Sequence, residues 1–150
     1  MLEPNKTNGF QAAHAQMIIT SFQTKLGRAI LPDATPETLY HSDQIILSHN
    51  TDDDPILTYG NLAAQALWQM PWQALTQLPS RKTAETTHRN TRTKMFQAMR
   101  QDGYFENYQG MRVSATGQRF RIENAIIWTL TDKHGVPQGE AATFRDFTRF

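Results

Sequence analysis

Polar side chains share one face of a predicted helix with apolar ones in the middle of the chain. Steps of three and four residues back from the apolar positions lead to Arg92, His88 and Glu85. If this face is turned toward a sheet, each of the three groups needs a partner or a ligand, because burying an unpaired polar group is costly. Alternatively, the stripe leaves the core before His88, and the groups are solvated or pair with one another. The apolar positions are Met95, Phe96 and Met99.

Two asparagines interrupt the apolar rows of predicted C-terminal strands. Asn107 lies among apolar residues of one strand, and Asn124 lies in the row of the next strand that contains Trp128. A buried amide must be hydrogen-bonded, so each predicts contact with a ligand or, as is more usual, a bond to a neighbouring loop. With His88 and Arg92 they suit a planar ligand that is partly polar or anionic, because Trp128 offers stacking area and Arg92 a forked donor.

Arg81 and Lys82 precede a predicted helix N-terminus, where free amide groups and the helix dipole favour an anion. A phosphate-like group could therefore bind at Arg81. The same residues could anchor their loop against the acidic turn at 52–54, and we favour this structural interpretation because the turn has no other obvious counter-charge.

The chain has no cysteine, which excludes disulfides, thiolate nucleophiles and cysteinyl-flavin photochemistry. None of its five histidines stands at metal-ligand spacing from another histidine or a carboxylate. Haem ligation by His88 remains an alternative, but a lone histidine is more often structural. The sequence therefore predicts no metal site and leaves any cofactor unknown.

Catalytic motifs are missing from the sequence. It contains no phosphate-cradling glycine loop, no nucleophile elbow and no zinc protease motif, and its acidic run at 52–54 lacks the remaining spacing of a calcium loop. We therefore expect a protein that binds or relays and is not an enzyme. The weakest alternative is a small α+β enzyme in which His88 acts as a base with Glu85.

Composition predicts one domain. A chain of 150 residues with 39% apolar side chains can bury one core but is short for two. No segment approaches the ~20 apolar residues of a membrane span, and no signal-peptide pattern is present, so we expect a cytoplasmic location. The net charge of +1 predicts neither a nucleic-acid nor a membrane partner, although the segment 79–121 is locally cationic.

The hydrophobic period changes from helical to alternating along the chain. The N-terminal helix carries an apolar stripe that must pack on its own domain or on a second copy of the chain. We expect a flexible N-terminus (1–10), a helix with its linker (11–36) and a main domain (37–150). Helices are predicted over 12–28, 62–69, 72–78 and 83–101, the last capped by Thr83 or Thr86, and strands over 45–49, 56–59, 105–113, 120–130 and 139–147. One strand face should hold Phe120, Ile122, Ile126, Trp128 and Leu130.

From about residue 41 to 147 the chain resembles the MEKHLA domain family, a PAS-like module, in its bacterial stand-alone form. The most distinctive motif is Pro79-Ser80-Arg81-Lys82 before a helix. The others are Leu47-Ser48-His49-Asn50, Asp54-Pro55-Ile56-Leu57-Thr58-Tyr59-Gly60-Asn61, Tyr108-Gln109-Gly110-Met111-Arg112-Val113 and Arg119-Phe120-Arg121-Ile122-Glu123-Asn124-Ala125-Ile126-Ile127-Trp128. The resemblance implies an α+β fold: a PAS-like five-stranded antiparallel sheet, its first two strands in the middle, with helices over one face and an extra N-terminal amphipathic helix.

The resemblance implies a sensory or interaction role, because no catalytic activity is associated with the family. Our first hypothesis is a sensory domain that binds a small molecule between the 83–101 helix and the sheet and relays binding through protein contacts. The alternative is a ligand-free interaction module. In either case we expect a homodimer that forms through the N-terminal helix or the free sheet face. The expected ligand-binding residues are His88, Arg92, Asn107, Asn124, Trp128 and Arg81.

Overall fold

The computed structural model describes residues 1–84 and 89–150, which form an antiparallel sheet with helices on both faces. The helices are α1 (Ala12–Leu26), α2 (Pro36–His41), α3 (Leu62–Trp68), α4 (Trp72–Leu75) and α5 (Arg89–Asp102). The strands are β1 (Ile45–His49), β2 (Leu57–Gly60), β3 (Tyr104–Val113), β4 (Arg119–Thr131), β5 (Pro137–Phe144) and β6 (Asp146–Arg149). The predicted α+β class is confirmed.

The sheet has the strand order β2-β1-β5-β4-β3, and β6 pairs with β4. The first two strands pair as predicted, but they are not the middle of the sheet: β2 is an edge strand and β5 lies at the centre. The single C-terminal strand predicted over 139–147 is two strands in the structure, because a bend at Arg145 interrupts the β conformation. Beyond that bend β6 continues along β4, pairing with the segment that begins at Phe120.

Helix α1 covers one face of the sheet with its own apolar stripe. Ala15 and Ile18 are fully buried, and Phe22 meets the Trp128 ring edge-on at 5.0 Å between centroids. The helix ends at Gly27, whose left-handed backbone lets its N–H bond to the carbonyl of Gln23. Of the two packing partners that the sequence left open, the structure shows α1 on its own domain.

The opposite face of the sheet is covered by α3, α4, the 3₁₀ turn Ser80–Thr83 and α5. Because strand residues alternate between faces, Ile46 packs with the α1 core, whereas Ile45 and Leu47 pack with Trp68 of α3. The sheet is thus buried on both faces, and β1 contributes to both cores.

Asn61 holds the short helices to β1. Its side chain caps α3 by accepting the N–H of Ala64, as the sequence predicted, and also accepts the N–H of Ile46. Its amide donates to the carbonyls of Leu39 and Gln44. The fully buried amide therefore has all of its hydrogen bonds within the protein.

Two asparagines break the regular pleat of β3 and β4. Asn107 has φ 58° and Asn124 has φ 52°, a left-handed conformation that asparagine tolerates better than most residues. The β3–β4 register shifts on both sides of Tyr108, and β4 changes partner from β6 to β5 at Asn124. Ile122 therefore faces the α3 side and Trp128 the α1 side. The expectation that the even-numbered apolar residues of β4 share one face is wrong.

Of the two caps predicted for the long helix, the structure rules out one. Thr83 ends a 3₁₀ turn and Ala84 is extended, so Thr83 does not cap α5, whose described part begins at Arg89. Thr86, the other predicted cap, lies outside the described residues. The predicted stop is confirmed, because Gly103 is left-handed and donates to the carbonyl of Met99. The face predicted to point inward does so only in part: Met95 lines the space beneath α5, whereas Phe96 and Arg92 are exposed.

The first ten residues, expected to be flexible, contact the domain. Trp72 donates its indole N–H to the carbonyl of Met1 at 3.0 Å, and the Tyr40 hydroxyl donates to Glu3 at 3.1 Å. In the described part of the chain, no helix combines the length and apolarity needed to cross a bilayer.

Candidate functional site

A cavity of about 200 Å³ lies between the sheet and the cover formed by α3, the 3₁₀ turn and α5. Most of its described wall is apolar, and a few polar groups interrupt it. The apolar residues include Leu47, Leu57, Trp68, Met95, Ile122 and Phe144. The polar ones include His49, Glu140, Arg112, Tyr108, Ser80 and Thr83.

His49 and Glu140 form a pair on neighbouring strands that line the cavity. His49 lies opposite Glu140 in the β1–β5 register, and its Nε2 is 3.4 Å from Oε1 of Glu140. Its other ring nitrogen, Nδ1, lies 2.9 Å from the carbonyl oxygen of Asn50. Both nitrogens thus meet acceptors, which only the doubly protonated imidazolium satisfies. Burial alone lowers the pKa of His49, but the bonds to Glu140 and Asn50 outweigh it, and the pKa is raised.

Arg112 reaches the cavity from β3 together with Tyr108. The guanidinium donates to the Tyr108 hydroxyl at 3.3 Å and to the carbonyl of Met111 at 3.0 Å, and its carbon lies 5.3 Å from the Tyr108 ring centroid. Gly110 stands between them on the same face. A Cβ at Gly110 would lie 2.7 Å from the Tyr108 hydroxyl and 2.9 Å from an Arg112 nitrogen, so a larger residue would displace the ends of these two side chains.

The 3₁₀ turn is fixed over the cavity by hydrogen bonds. Trp68 donates its indole N–H to the carbonyl of Thr83 at 3.2 Å, and the Thr83 hydroxyl donates to the carbonyl of Ser80 at 2.7 Å. Ala84 then forms a β-bridge with Arg112. The cover of the cavity is therefore tied to the strand that carries the cation.

The other face of β1 carries a polar contact to α1. Nε2 of His14 lies 3.0 Å from Oγ of Ser48, and that oxygen is 2.8 Å from the Thr58 hydroxyl. The His14 ring stacks on Tyr59 at 5.9 Å between centroids. Burial lowers the pKa of His14 to about 4, so the ring is neutral at ordinary pH. Burial also raises the pKa of Tyr59, whose buried hydroxyl has no hydrogen-bond partner among the described residues.

The structure does not bring the predicted asparagines and tryptophan into one cavity. Asn107 and Asn124 are exposed at the two left-handed positions, and Asn124 donates to Asp146 at 3.0 Å. The interpretation of both as buried amides is wrong. Trp128 is fully buried, but under α1, where its indole donates to Ser21 at 2.9 Å. Asn124 instead borders a separate groove of about 260 Å³ beside Arg28.

Arg92 and Arg81 are not among the described residues that line the cavity. Arg92 is exposed on α5, and Glu85 and His88 lie outside the described residues. Arg81 places its Nε 3.2 Å from both carboxylate oxygens of Asp54, which confirms the interpretation that it anchors its loop to the acidic turn.

Sequence reasoning missed the three charged residues that the described part of the chain contributes to the cavity wall. His49 and Glu140 are distant in the chain, and only the pairing of β1 with β5 brings them together. A signal for Arg112 was present: in Tyr108-Gln109-Gly110-Met111-Arg112, a glycine separates two large residues on one strand face. Among residues 1–84 and 89–150, no three His, Asp or Glu side chains are grouped so that they could hold a metal ion.

A comparison with protein-family models finds one match to the chain. The family model described as the MEKHLA domain matches residues 12–149, so the match includes α1. A search of curated protein sequences finds no match to the chain.

Solved structures with PAS-like folds are similar to the chain. The PAS domain of a protein from Colwellia psychrerythraea is 12% identical with a TM-score of 0.58, over 73% of this chain and 91% of that one. A variant of Vivid is 12% identical with a TM-score of 0.59, over 85% and 99% of the two chains. A light-oxygen-voltage domain from a study of a flavin analogue is 11% identical with a TM-score of 0.56, over 77% and 83%. At such identities the similarity concerns the fold alone.

Proposed function

The chain belongs to the MEKHLA domain family, and from this premise we propose that it is a non-catalytic sensory domain of PAS-like fold. It binds a small molecule in the cavity beneath α5 and passes the change through β1 to α1. The observation that carries this proposal is the cavity itself. Apolar walls that are interrupted by a few polar groups are typical of small-molecule sites.

The route from the cavity to α1 runs through two neighbouring residues. Both residues border the cavity, but the side chain of Ser48 contacts His14 on the other face of β1. The β1–β2 register shifts between these two residues, so the pleat is already irregular there. A ligand that moves His49 therefore changes the position of Ser48 and the contact that holds α1. In thermodynamic terms, the ligand favours one of two arrangements of α1.

A homodimer is a separate prediction, and the position of α1 bears on its route. The apolar stripe of α1 is buried on its own sheet, and α1 covers the sheet face that the sequence left free for a partner. Neither that stripe nor that face is therefore free to act as the output surface. The output that we propose is a change in how α1 is held.

A thermal-shift screen of small molecules tests the proposal. A ligand at a hundred times its dissociation constant stabilises the protein by about 2.7 kcal/mol, which raises the melting temperature by about 5–10 °C in a domain of this size. Ala142→Phe adds a ring to the cavity wall and should abolish the shift. Ala115→Phe adds the same ring to an exposed turn and should preserve it. A shift that survives Ala142→Phe, or a broad screen without any shift, contradicts the proposal.

A further inference from the structure

We propose that the cavity is a carboxylate site, in which the guanidinium of Arg112 holds a small monocarboxylic acid in its anionic form. This inference rests on the proposed function and names its ligand class. It is carried by the charge, the donors and the size of the described cavity.

The guanidinium of Arg112 has donors to spare. It has five N–H groups, and its contacts with the described residues go to a backbone carbonyl and a tyrosine hydroxyl, both neutral acceptors. No carboxylate lies within ion-pair distance of Arg112 among the described residues. A half-buried cation of this kind favours an anion, and the planar fork of arginine matches the two oxygens of a carboxylate.

Glu140, the acidic residue among the described cavity-lining residues, is held by His49. Because both ring nitrogens of His49 face acceptors, the imidazolium balances the Glu140 charge. Arg112 then leaves one positive charge on the described wall. A ligand with one negative charge neutralises it, whereas with a neutral ligand Arg112 has no counter-ion among the described residues.

The local structure of β3 holds the side chains of Tyr108 and Arg112 close together. Gly110 leaves the space that the hydroxyl and the guanidinium share, and the ring of Tyr108 lies beside the cation. The β-bridge between Ala84 and Arg112 holds the backbone at Arg112 in place. Arg112 is therefore oriented before a ligand arrives, which reduces the entropy lost on binding.

The apolar wall sets the rest of the ligand. Trp68, Leu57 and Phe144 surround a space of about 200 Å³, which holds roughly ten non-hydrogen atoms at the packing density of a protein interior. A carboxylate with a compact aromatic or branched body satisfies both parts of the site. An inorganic anion satisfies the cation but leaves the apolar wall uncovered.

Benzoate and benzamide are matched probes, because they have the same ring and differ in charge. Binding of each to the full chain is measured by calorimetry at constant ionic strength, with sulfate as a third probe. We expect benzoate to bind more tightly than the other two by about 10-fold or more, as a charge-assisted hydrogen bond predicts. Sulfate binding as tightly as benzoate overturns the claim for an apolar body.

Variants identify the cation. Arg112→Gln should weaken benzoate about 10- to 100-fold. Arg100→Gln removes an exposed arginine of α5 and should leave the affinity unchanged. Arg112→Lys keeps the charge but removes the fork, so it should bind with intermediate affinity, and it serves as the test if Arg112→Gln does not fold.

The outcomes separate this inference from the proposed function. If benzamide or other neutral compounds bind in the cavity and carboxylates do not, or if benzoate affinity is the same in Arg112→Gln, the carboxylate site is overturned while the sensory proposal stands. If the broad screen of carboxylates and neutral compounds shows no binding, both are overturned.

Discussion

Ser48 and His49 are neighbours in β1 whose side chains contact opposite sides of the sheet. Oγ of Ser48 lies 3.0 Å from Nε2 of His14 in α1, and Nε2 of His49 lies 3.4 Å from Glu140 in the cavity. The β1–β2 register shifts between the two residues. Two adjacent residues thus connect the covering helix and the cavity, which gives the sheet a short path between its faces.

Acid should weaken the packing of α1 through His14. Burial lowers the pKa of His14 from 6.5 to about 4, so the folded protein disfavours the charged ring. This difference corresponds to about 3 kcal/mol of stability that is present above pH 6.5 and is lost progressively as the pH falls toward 4. When the pH is lowered from about 7.5 to about 4.5, the free energy of unfolding should fall by about 2 kcal/mol less for His14→Gln than for the parent chain, as measured by urea unfolding.

The control for this prediction is His134→Gln, because His134 is exposed in the turn between β4 and β5. The stability of the His134→Gln variant should change with pH in the same way as that of the parent chain. If His14→Gln also follows the parent chain, the ring of His14 is not buried as a neutral group.

Glu140 should determine the protonation of His49. With Glu140 in place the pKa of His49 is raised, so the stability from the pair is present below pH 6.5 and is lost as the pH rises through the raised pKa. The Glu140→Gln variant lacks the carboxylate that counteracts the effect of burial. The pKa of His49 should therefore be lower in this variant than in the parent chain. An NMR titration of the His49 ring protons measures it, and an unchanged titration curve contradicts the pairing.

Asn124 should be replaceable by glycine but not by a β-branched residue. Its left-handed backbone costs other residues about 1–2 kcal/mol, whereas the bond to Asp146 is lost in both the valine and the glycine variant. Asn124→Val should therefore be less stable than Asn124→Gly in urea unfolding. Thr129→Val, at a regular position of β4, should cost less than Asn124→Val. If the valine and glycine variants at position 124 are equally stable, the left-handed backbone at this position does not disfavour a β-branched residue, and the prediction is wrong.

The sequence was sufficient to predict elements that depend on local signals. The apolar stripe of α1, the cap at Asn61 and the stop at Gly103 follow from residue type and short spacing, and the structure confirms them. The resemblance of the motifs around the hairpin and the C-terminal strands was sufficient for the fold.

The site was harder to predict because it depends on interrupted periodicity and long-range pairing. Counting by twos along β4 assumes an unbroken pleat, and the left-handed Asn124 moves Trp128 to the other face. The same two amides that suggested buried ligand contacts are instead the residues that form the breaks. Glu140 could be assigned to His49 only from the β1–β5 register, which no local pattern specifies.

The most direct test of the sensory account is the position of a bound compound. A compound that raises the melting temperature is added to methyl-labelled protein, and intermolecular NOEs are measured by NMR. The account predicts NOEs from the compound to the methyl groups of Met95 and Ile122, which line the cavity. NOEs to Ile18 and Ile46, which lie in the core beneath α1, without any to the cavity methyls would contradict it.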